Sequence, residues 1–255
     1  MSSDGMDLAR LLVQRAPLLR SLEDGPVTKG DLVEAHGVSR STVDRAVRDL
    51  ETVDTVTRQD GVVELTLVGR LALEAYDDFC EVLDAAEACD SLTLLDTDAP
   101  IEIGLLRGAE VVDAGATSPH RPVQSLTDLI EDATHVELYG TVVLPEVVEA
   151  LVTGVLQGSL SVEAYVDPDA LDVVVSDFEG DVRRALDSDD VFLAEAGANL
   201  PFSLVVVERS DGTTTVAVIY GSHGADHLLV NDTDEAVSWA RERLDTIETN
   251  ARPLA

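Results

Sequence analysis

In the first third of the chain, apolar residues recur at spacings of three and four. Leu8, Leu11 and Leu12 start a short helix, and Pro17 opens another that runs to Leu22, where Glu23-Asp24-Gly25-Pro26 ends it. Leu32, Val33 and Ala35 give an apolar side to a helix capped by Thr28, with Asp31 three residues on completing a capping box. Gly37 supplies a left-handed exit, Val38 plugs the turn and Ser39 caps a second helix. On that helix Val43, Ala46, Val47 and Leu50 share one face. Val56-Thr57-Arg58 and Val62 to Thr66 then flank Gln59-Asp60-Gly61, a hairpin with Asp-Gly at its turn. Helical spacing returns from Leu67 to Ala88. Leu67, Leu71, Ala75, Phe79, Val82 and Ala86 form one apolar stripe, widened by Leu73, Tyr76, Cys80 and Leu83. A helix of about 20 residues spans about 30 Å. Its apolar surface is expected to serve both as core against the preceding hairpin and as a dimer seam.

From about residue 91 strands and helices alternate. The pattern predicts strands at Ile101–Ile103, Glu110–Asp113, His135–Gly140, Ser161–Val166 and Val191–Ala194. It predicts helices at Val123–Asp132, Pro145–Gln157, Pro168–Val175 and Phe178–Leu186. The segment from His135 to Val166 has the form of a right-handed βαβ crossover. Phe202–Glu208, Thr214–Tyr220 and His227–Val230 form a meander, with Arg209-Ser210-Asp211-Gly212 closing its first hairpin. A last helix, Thr233–Ile247, carries Ala236, Val237, Ala240, Leu244 and Ile247 as a stripe with Trp239 beside it, and Thr249 to Ala255 is expected to fray.

Two helices followed directly by a short hairpin make a winged helix-turn-helix, whose ligand is double-stranded DNA. The outward face of the second helix carries Arg40, Ser41, Thr42, Asp44, Arg45 and Arg48. Guanidinium forks suit guanine edges and phosphates, and small hydroxyls suit places where the DNA backbone comes close. Lys29 joins this set, and Arg58 with Gln59 at the wing tip would reach a phosphate or the minor groove. Asp44 either accepts from a cytosine amino group or holds Arg48, its i+4 partner. An ordinary pair of surface helices would show a similar charged face; the hairpin behind it is what favours DNA.

Charge complicates this. The 255 residues carry a formal net charge of −33. Residues 1–70 hold nine basic and twelve acidic residues, whereas residues 71–255 hold eight basic and 38 acidic. The acid therefore lies mostly outside the winged helix. Lys29 is the only lysine and aspartate outnumbers glutamate 30 to 20, the style of salt-in halophiles, whose acidic surfaces stay soluble in multimolar salt. A cation-binding or DNA-mimicking protein is the alternative, but no acidic block resembles a metal loop. The N-terminus lacks a basic region followed by an apolar stretch, and no run of eighteen apolar residues occurs, which implies a cytoplasmic protein without a membrane partner.

Catalytic chemistry is not expected. His223 and His227 are four apart, but Gly224 and strand-like flanks argue against a helical metal pair. Asp167-Pro168-Asp169 reads as a strand exit and helix cap rather than an acid–base pair, and Gly154 and Gly158 fit no phosphate loop. Cys80 and Cys89, nine residues apart on a helix, face opposite sides and do not pair. No catalytic residue, metal site or cofactor is expected. Tyr139, Asn199, Phe202, Ser203, Tyr220 and His223 lie at strand ends, where α/β domains place ligands, and are the candidate lining of an effector pocket. The same pattern also fits Phe202 and Tyr220 as core and Asn199 as a turn cap.

Residues 25–72, from Gly25-Pro26 through Leu71-Ala72, resemble the winged helix of haloarchaeal ArsR-like transcriptional regulators. Pro119 to Val123, Leu200 to Leu204, Ala217 to Gly221 and Asp234 to Ala240 resemble the effector domain of those proteins, related to the methanogenic-archaeal filamentation regulators. At Gly221-Ser222-His223-Gly224 the chain departs from that pattern, where an Asp often follows the Tyr. The resemblance implies a dimeric, sequence-specific regulator bound to a DNA operator, with a C-terminal domain that senses a small-molecule effector. The expected fold is mixed α/β. It comprises a winged helix-turn-helix over residues 1–68, a connecting and dimerisation helix over 69–90 and an α/β sensor-like domain over 91–255. An interaction module or acidic scaffold that does not bind specific DNA is the alternative function.

Overall fold

A computed structural model describes residues 3–88, 90–197, 200–221 and 225–254. Contacts within the chain separate two units, Met1–Glu81 and Val82–Ala255.

The first unit opens with α1 (Ser3–Arg20), one helix rather than the two expected around Pro17. Pro17 lies in the last turn, so its missing N–H releases only the carbonyl of Val13, whose side chain is exposed. Then come β1 (Val27–Thr28), α2 (Lys29–His36) and α3 (Arg40–Glu51). Thr28 Oγ1 accepts from the Asp31 N–H at 3.3 Å and Asp31 Oδ2 accepts from the Thr28 N–H at 3.2 Å, which completes the capping box. Gly37 turns left-handed at φ 62°, and Ser39 Oγ accepts from the Thr42 N–H at 3.2 Å. β2 (Val56–Gln59) and β3 (Val62–Leu65) pair with Gln59 opposite Val62, so Asp60 and Gly61 are the whole loop. Their φ values of 51° and 87° are those of a primed turn, whose twist matches the flanking strands. β1 adds to the far side of β3, a two-residue strand too short to show a period. Leu19, Leu32, Val43, Val47, Leu50 and Val63 fill the core.

Helix α4 (Leu67–Ala88) inserts Leu73 into that core, with Ala72 and Tyr76 beside it. Gly69 makes this possible: a Cβ there would lie 1.9 Å from the Thr55 carbonyl oxygen. The stripe predicted as core is not buried. Leu67, Leu71, Ala75 and Phe79 are exposed, Leu67 to 63% and Phe79 to 55%. The core role expected of the stripe falls instead on Leu73, which lies well round the helix from Leu71 and Phe79.

The second unit starts with a 3₁₀ turn (Asp90–Leu94) and α5 (Ile103–Leu106). Ile101–Ile103 is therefore not a strand: the buried residues are Leu105 and Leu106, neighbours on a helical turn, and Ile103 is exposed. There follow β4 (Glu110–Asp113), α6 (Arg121–Glu131), β5 (Ala133–Gly140), α7 (Pro145–Leu156), β6 (Ser161–Val166), α8 (Pro168–Asp177), α9 (Glu179–Leu186) and β7 (Val191–Glu195). The unit ends with β8 (Ser203–Arg209), β9 (Thr214–Tyr220), β10 (His227–Asn231), α10 (Asp234–Asn250) and β11 (Arg252–Pro253). Among the described residues these strands form one sheet in the order β11-β7-β6-β5-β8-β9-β10-β4. β5, β6 and β7 run parallel, joined by α7 and by α8 with α9; the other pairs are antiparallel. Helices cover both faces, which is why Leu204–Val207 and Val216–Tyr220 read as unbroken apolar runs. Leu204, Val206, Val218 and Tyr220 face Trp239, Leu244 and Ile247 of α10. Leu138, Val162, Leu193, Val205 and Ile219 face the other way, towards Leu126, Leu151 and Val155. The tail expected to fray is instead the edge strand β11, where the Leu254 N–H donates to the Leu193 carbonyl at 3.1 Å.

Candidate nucleic-acid interface

Val43, Ala46, Val47 and Leu50 hold the inner face of α3 in the core, and helical geometry then turns Arg40, Ser41, Arg45 and Arg48 to the surface. Thr42 is exposed with them. At the N-terminus of α3, Ser39 Oγ lies 2.8 Å from Ser41 Oγ and 2.9 Å from Thr42 Oγ1, a cluster of three hydroxyls beside the free backbone N–H groups of the first turn. Arg40, Arg45 and Arg48 have no ion-pair partner among the described residues. Their forks are open to an anion or a base edge.

The remaining predicted cations are differently placed. Lys29 Nζ is paired with Asp44 Oδ1, so Asp44 does not hold Arg48 as its spacing suggested. The ammonium beside Asp44 keeps its carboxyl below the usual range, as do the nearby Arg40 and Arg58 charges. Arg58 grips Glu51 with both prongs, Nε donating to Oε1 at 2.6 Å and Nη2 to Oε2. This holds the Glu51 carboxyl low as well. Nothing in the sequence pointed to Glu51, because seven residues across a helix end and a turn share no period. Lys29, Arg40, Arg58 and Gln59 line one cleft of about 390 Å³ with Thr28, Gly30, Asp60 and Gly61. The cleft thus joins the start of α2, the start of α3 and the wing tip. Its three cations fit a phosphate, and the α3 guanidinium groups fit purine edges.

Of the residues predicted to line an effector pocket, Tyr139 and Ser203 border one pocket, whereas Phe202 and Tyr220 do not. Tyr139, Phe202 and Tyr220 are buried on the α10 side of the sheet, part of the core, with the Phe202 ring 6.3 Å from Trp239. The Tyr139 hydroxyl accepts from the Leu200 N–H at 3.2 Å, and the Tyr220 ring lies 5.4 Å from that of His227. Ser203 points to the opposite face, its Oγ 3.0 Å from both the N–H and the Oγ1 of Thr141. Asn199, His223 and Cys89 lie outside the described residues. Neighbours on a strand point to opposite faces, so Phe202 and Ser203 could not have shared a cavity. Asp167 caps α8 as expected, its Oδ1 accepting from the Asp169 N–H at 3.0 Å.

Electrostatics single out one group in this unit. Glu137 of β5 lies half-buried with a pKa raised to about 7. Burial is the main cause, and the carboxylates of Glu163, Asp245 and Glu248 add to it against the opposing Arg241. Glu163 is its register partner on β6, and the other three stand on α10. Among the described residues, no three His, Cys, Asp or Glu side chains gather as a metal site would, and no helix is long and apolar enough to cross a membrane.

The chain resembles known proteins mainly at the level of families. No curated protein matches it. Among solved structures, TrmBL2, an archaeal chromatin protein, is similar over 92% of each chain, with 11% identity and a TM-score of 0.44. Nuc from Salmonella typhimurium, a phospholipase D family member, is similar over 57% of this chain and 97% of its own, with 14% identity and a TM-score of 0.42. NucT from Helicobacter pylori is similar over 57% of this chain and 98% of its own, with 10% identity and a TM-score of 0.43. Residues 3–88 match the model of the HVO_A0261 N-terminal domain. Residues 119–250 match that of the middle domain of the methanogenesis regulatory protein FilR1. This second match takes in just over half of the chain, nearly all of the sheet and α10, and on that ground the chain belongs to the FilR1 middle-domain family of regulatory proteins.

Proposed function

We propose that the protein is a sequence-specific, DNA-binding transcription regulator that acts as a homodimer, places α3 in the major groove and β2–β3 beside it, and answers to a small-molecule effector through its second unit. It performs no catalysis of its own. The observation that carries this is the open guanidinium face of α3. Arg40, Arg45 and Arg48 lie together on one exposed helix face with no ion-pair partner among the described residues, in a chain with 50 acidic residues and 17 basic ones. Family membership supports a regulatory role, and the exposed stripe of α4 supports a second copy as its cover. The lysine-poor, aspartate-rich composition supports a haloarchaeal cytoplasm, and the winged helix an ArsR-like regulator within it. At multimolar salt the Debye length falls to about 3 Å or less, so bidentate contacts and groove shape carry more of the recognition than counterion release.

The test is binding to DNA upstream of the protein's own coding sequence, in molar KCl, against a scrambled duplex. Specific binding is expected, and Arg45→Ala should weaken it by about 1–3 kcal/mol and relax specificity at one base position. Unchanged binding by Arg45→Ala would show that α3 is not the reading helix. One observation favours a second reading. Lys29 and Arg58 are already neutralised by Asp44 and Glu51, as suits a winged helix that binds protein. That reading gains if the folded protein prefers no duplex at any salt.

A further inference from the structure

Between the sheet and its α7–α9 layer lies an apolar pocket of about 130 Å³ that opens to the surface on one side. Its floor is Leu138, Ala164, Val166, Leu193 and Val205 of the sheet, and its roof is Val147, Leu151 and Val155 of α7 with Val182 and Ala185 of α9. Val142, Val143 and Leu144, in the turn after β5, close the end at the carboxyl edge of the parallel strands. That edge is where open α/β sheets receive ligands. An apolar wall of this kind binds water poorly and favours an apolar occupant, and the space within it is of about the volume of a benzene-sized molecule.

The lining defines the ligand by exclusion. Two lining side chains carry a polar atom, Ser203 and Tyr139, and both are engaged: Ser203 Oγ with Thr141, and the Tyr139 hydroxyl with the Leu200 N–H. Among the described residues, no charged side chain reaches the wall. A nucleotide, sugar, amino acid or metal ion would have to desolvate its polar groups there without a partner. An aromatic ring or a short branched hydrocarbon would lose nothing.

We infer that this cavity is the effector site of the second unit, and that it accepts an uncharged, apolar molecule or apolar group of about benzene size. The inference rests on the effector-responsive reading above and names its ligand class. Occupancy acts through the Thr141–Leu144 turn. Ser203 pins its start by two hydrogen bonds, and Val142, Val143 and Leu144 would close on the ligand, fixing where α7 begins.

The probe is benzene, titrated into the full chain in molar KCl and followed by thermal unfolding and by ligand-observed NMR, with operator affinity measured on the same samples. Saturable binding with a roughly millimolar dissociation constant is expected. Ala164→Leu and Ala185→Leu fill the void from opposite walls, and each should weaken benzene binding by about tenfold or more. Two variants guard against one that fails to fold. Absence of saturable benzene binding, or equal binding by folded filled variants, overturns the cavity as a site. Saturable, variant-sensitive binding that leaves operator affinity unchanged upholds the cavity as a site and overturns its role as effector site. A change in operator affinity that both filled variants abolish supports the whole inference.

Discussion

At the scale of single residues, the winged unit depends on an absent side chain and on two charge pairs. Gly69 lets α4 approach the Thr55 carbonyl, which also accepts from the Thr66 N–H at 3.1 Å. Backbone, unlike a flexible side chain, cannot step aside for a Cβ. Gly69→Ala should therefore destabilise this unit by about 1–3 kcal/mol, although alanine is the better helix former. Chemical denaturation followed by Tyr76 fluorescence or circular dichroism checks this; a stabilised variant would mean that α4 does not pack so closely. Asp44 and Glu51 hold Lys29 and Arg58, which must exchange carboxylate for phosphate if they are to contact DNA. Asp44→Asn with Glu51→Gln frees both. The slope of log affinity against log salt should then steepen by about 0.9 for each phosphate gained, while stability changes little. An unchanged slope would show that neither cation reaches DNA.

At the scale of elements, what was legible in the sequence is what short-range physics decides. Caps at Thr28 and Ser39, the Gly37 exit, the Asp60-Gly61 turn and the crossover from β5 to β6 each depend on a few neighbouring residues. The misread elements depend on distant partners. β1 and β11 are two residues long and exist only because β3 and β7 have open sides. α5 takes an apolar run that a strand could have used, because Leu105 and Leu106 find α10. Of the predicted pocket residues, Tyr139 and Ser203 border one pocket, while Phe202 and Tyr220 pack in the core beneath α10. Pairing of α10 with the sheet also sets a pH dependence. Glu137 has a folded pKa of about 7 against an ordinary 4.5, so the folded state binds its proton more tightly than the unfolded chain. Stability from this group is then greatest below about pH 4.5 and declines as pH rises to about 7, above which the loss is complete. Glu137→Gln should flatten the dependence of Tm on pH across that window and raise Tm above it. A dependence identical to that of the parent protein would place its origin elsewhere.

At the scale of the whole molecule, the proposed regulator calls for a partner for α4. Leu67, Leu71, Ala75 and Phe79 present an exposed apolar face along one side of this helix, and an operator read by paired half-sites needs two copies of α3 about 34 Å apart. Phe79→Asp, at a site where no core contact is lost, should leave the fold intact, shift sedimentation from dimer to monomer and weaken operator binding by more than the loss of one base contact. A variant that stays dimeric would exclude this face as the seam. The open face of α3 could be read from the chain, because an amphipathic helix displays its outer residues whatever lies behind it. The apolar pocket between sheet and helices could be read only at Tyr139 and Ser203, because its shape depends on side-chain volumes contributed by many separate elements.

The β11 strand bears on how copies of this protein can meet. Its Leu254 N–H points inward to β7, so the N–H missing from Pro253 is the one that would have faced a further strand. Arg252 sets a charge on the same rim, and at the opposite rim β4 carries Glu110 and Asp113. Both borders of the sheet thus discourage hydrogen bonding to another sheet. Runs as apolar as those of β8 and β9 would make dangerous fibril templates in a crowded, salt-rich medium that strengthens apolar contacts. With its borders blunted, the sheet offers no ready template on which one copy could extend into the next.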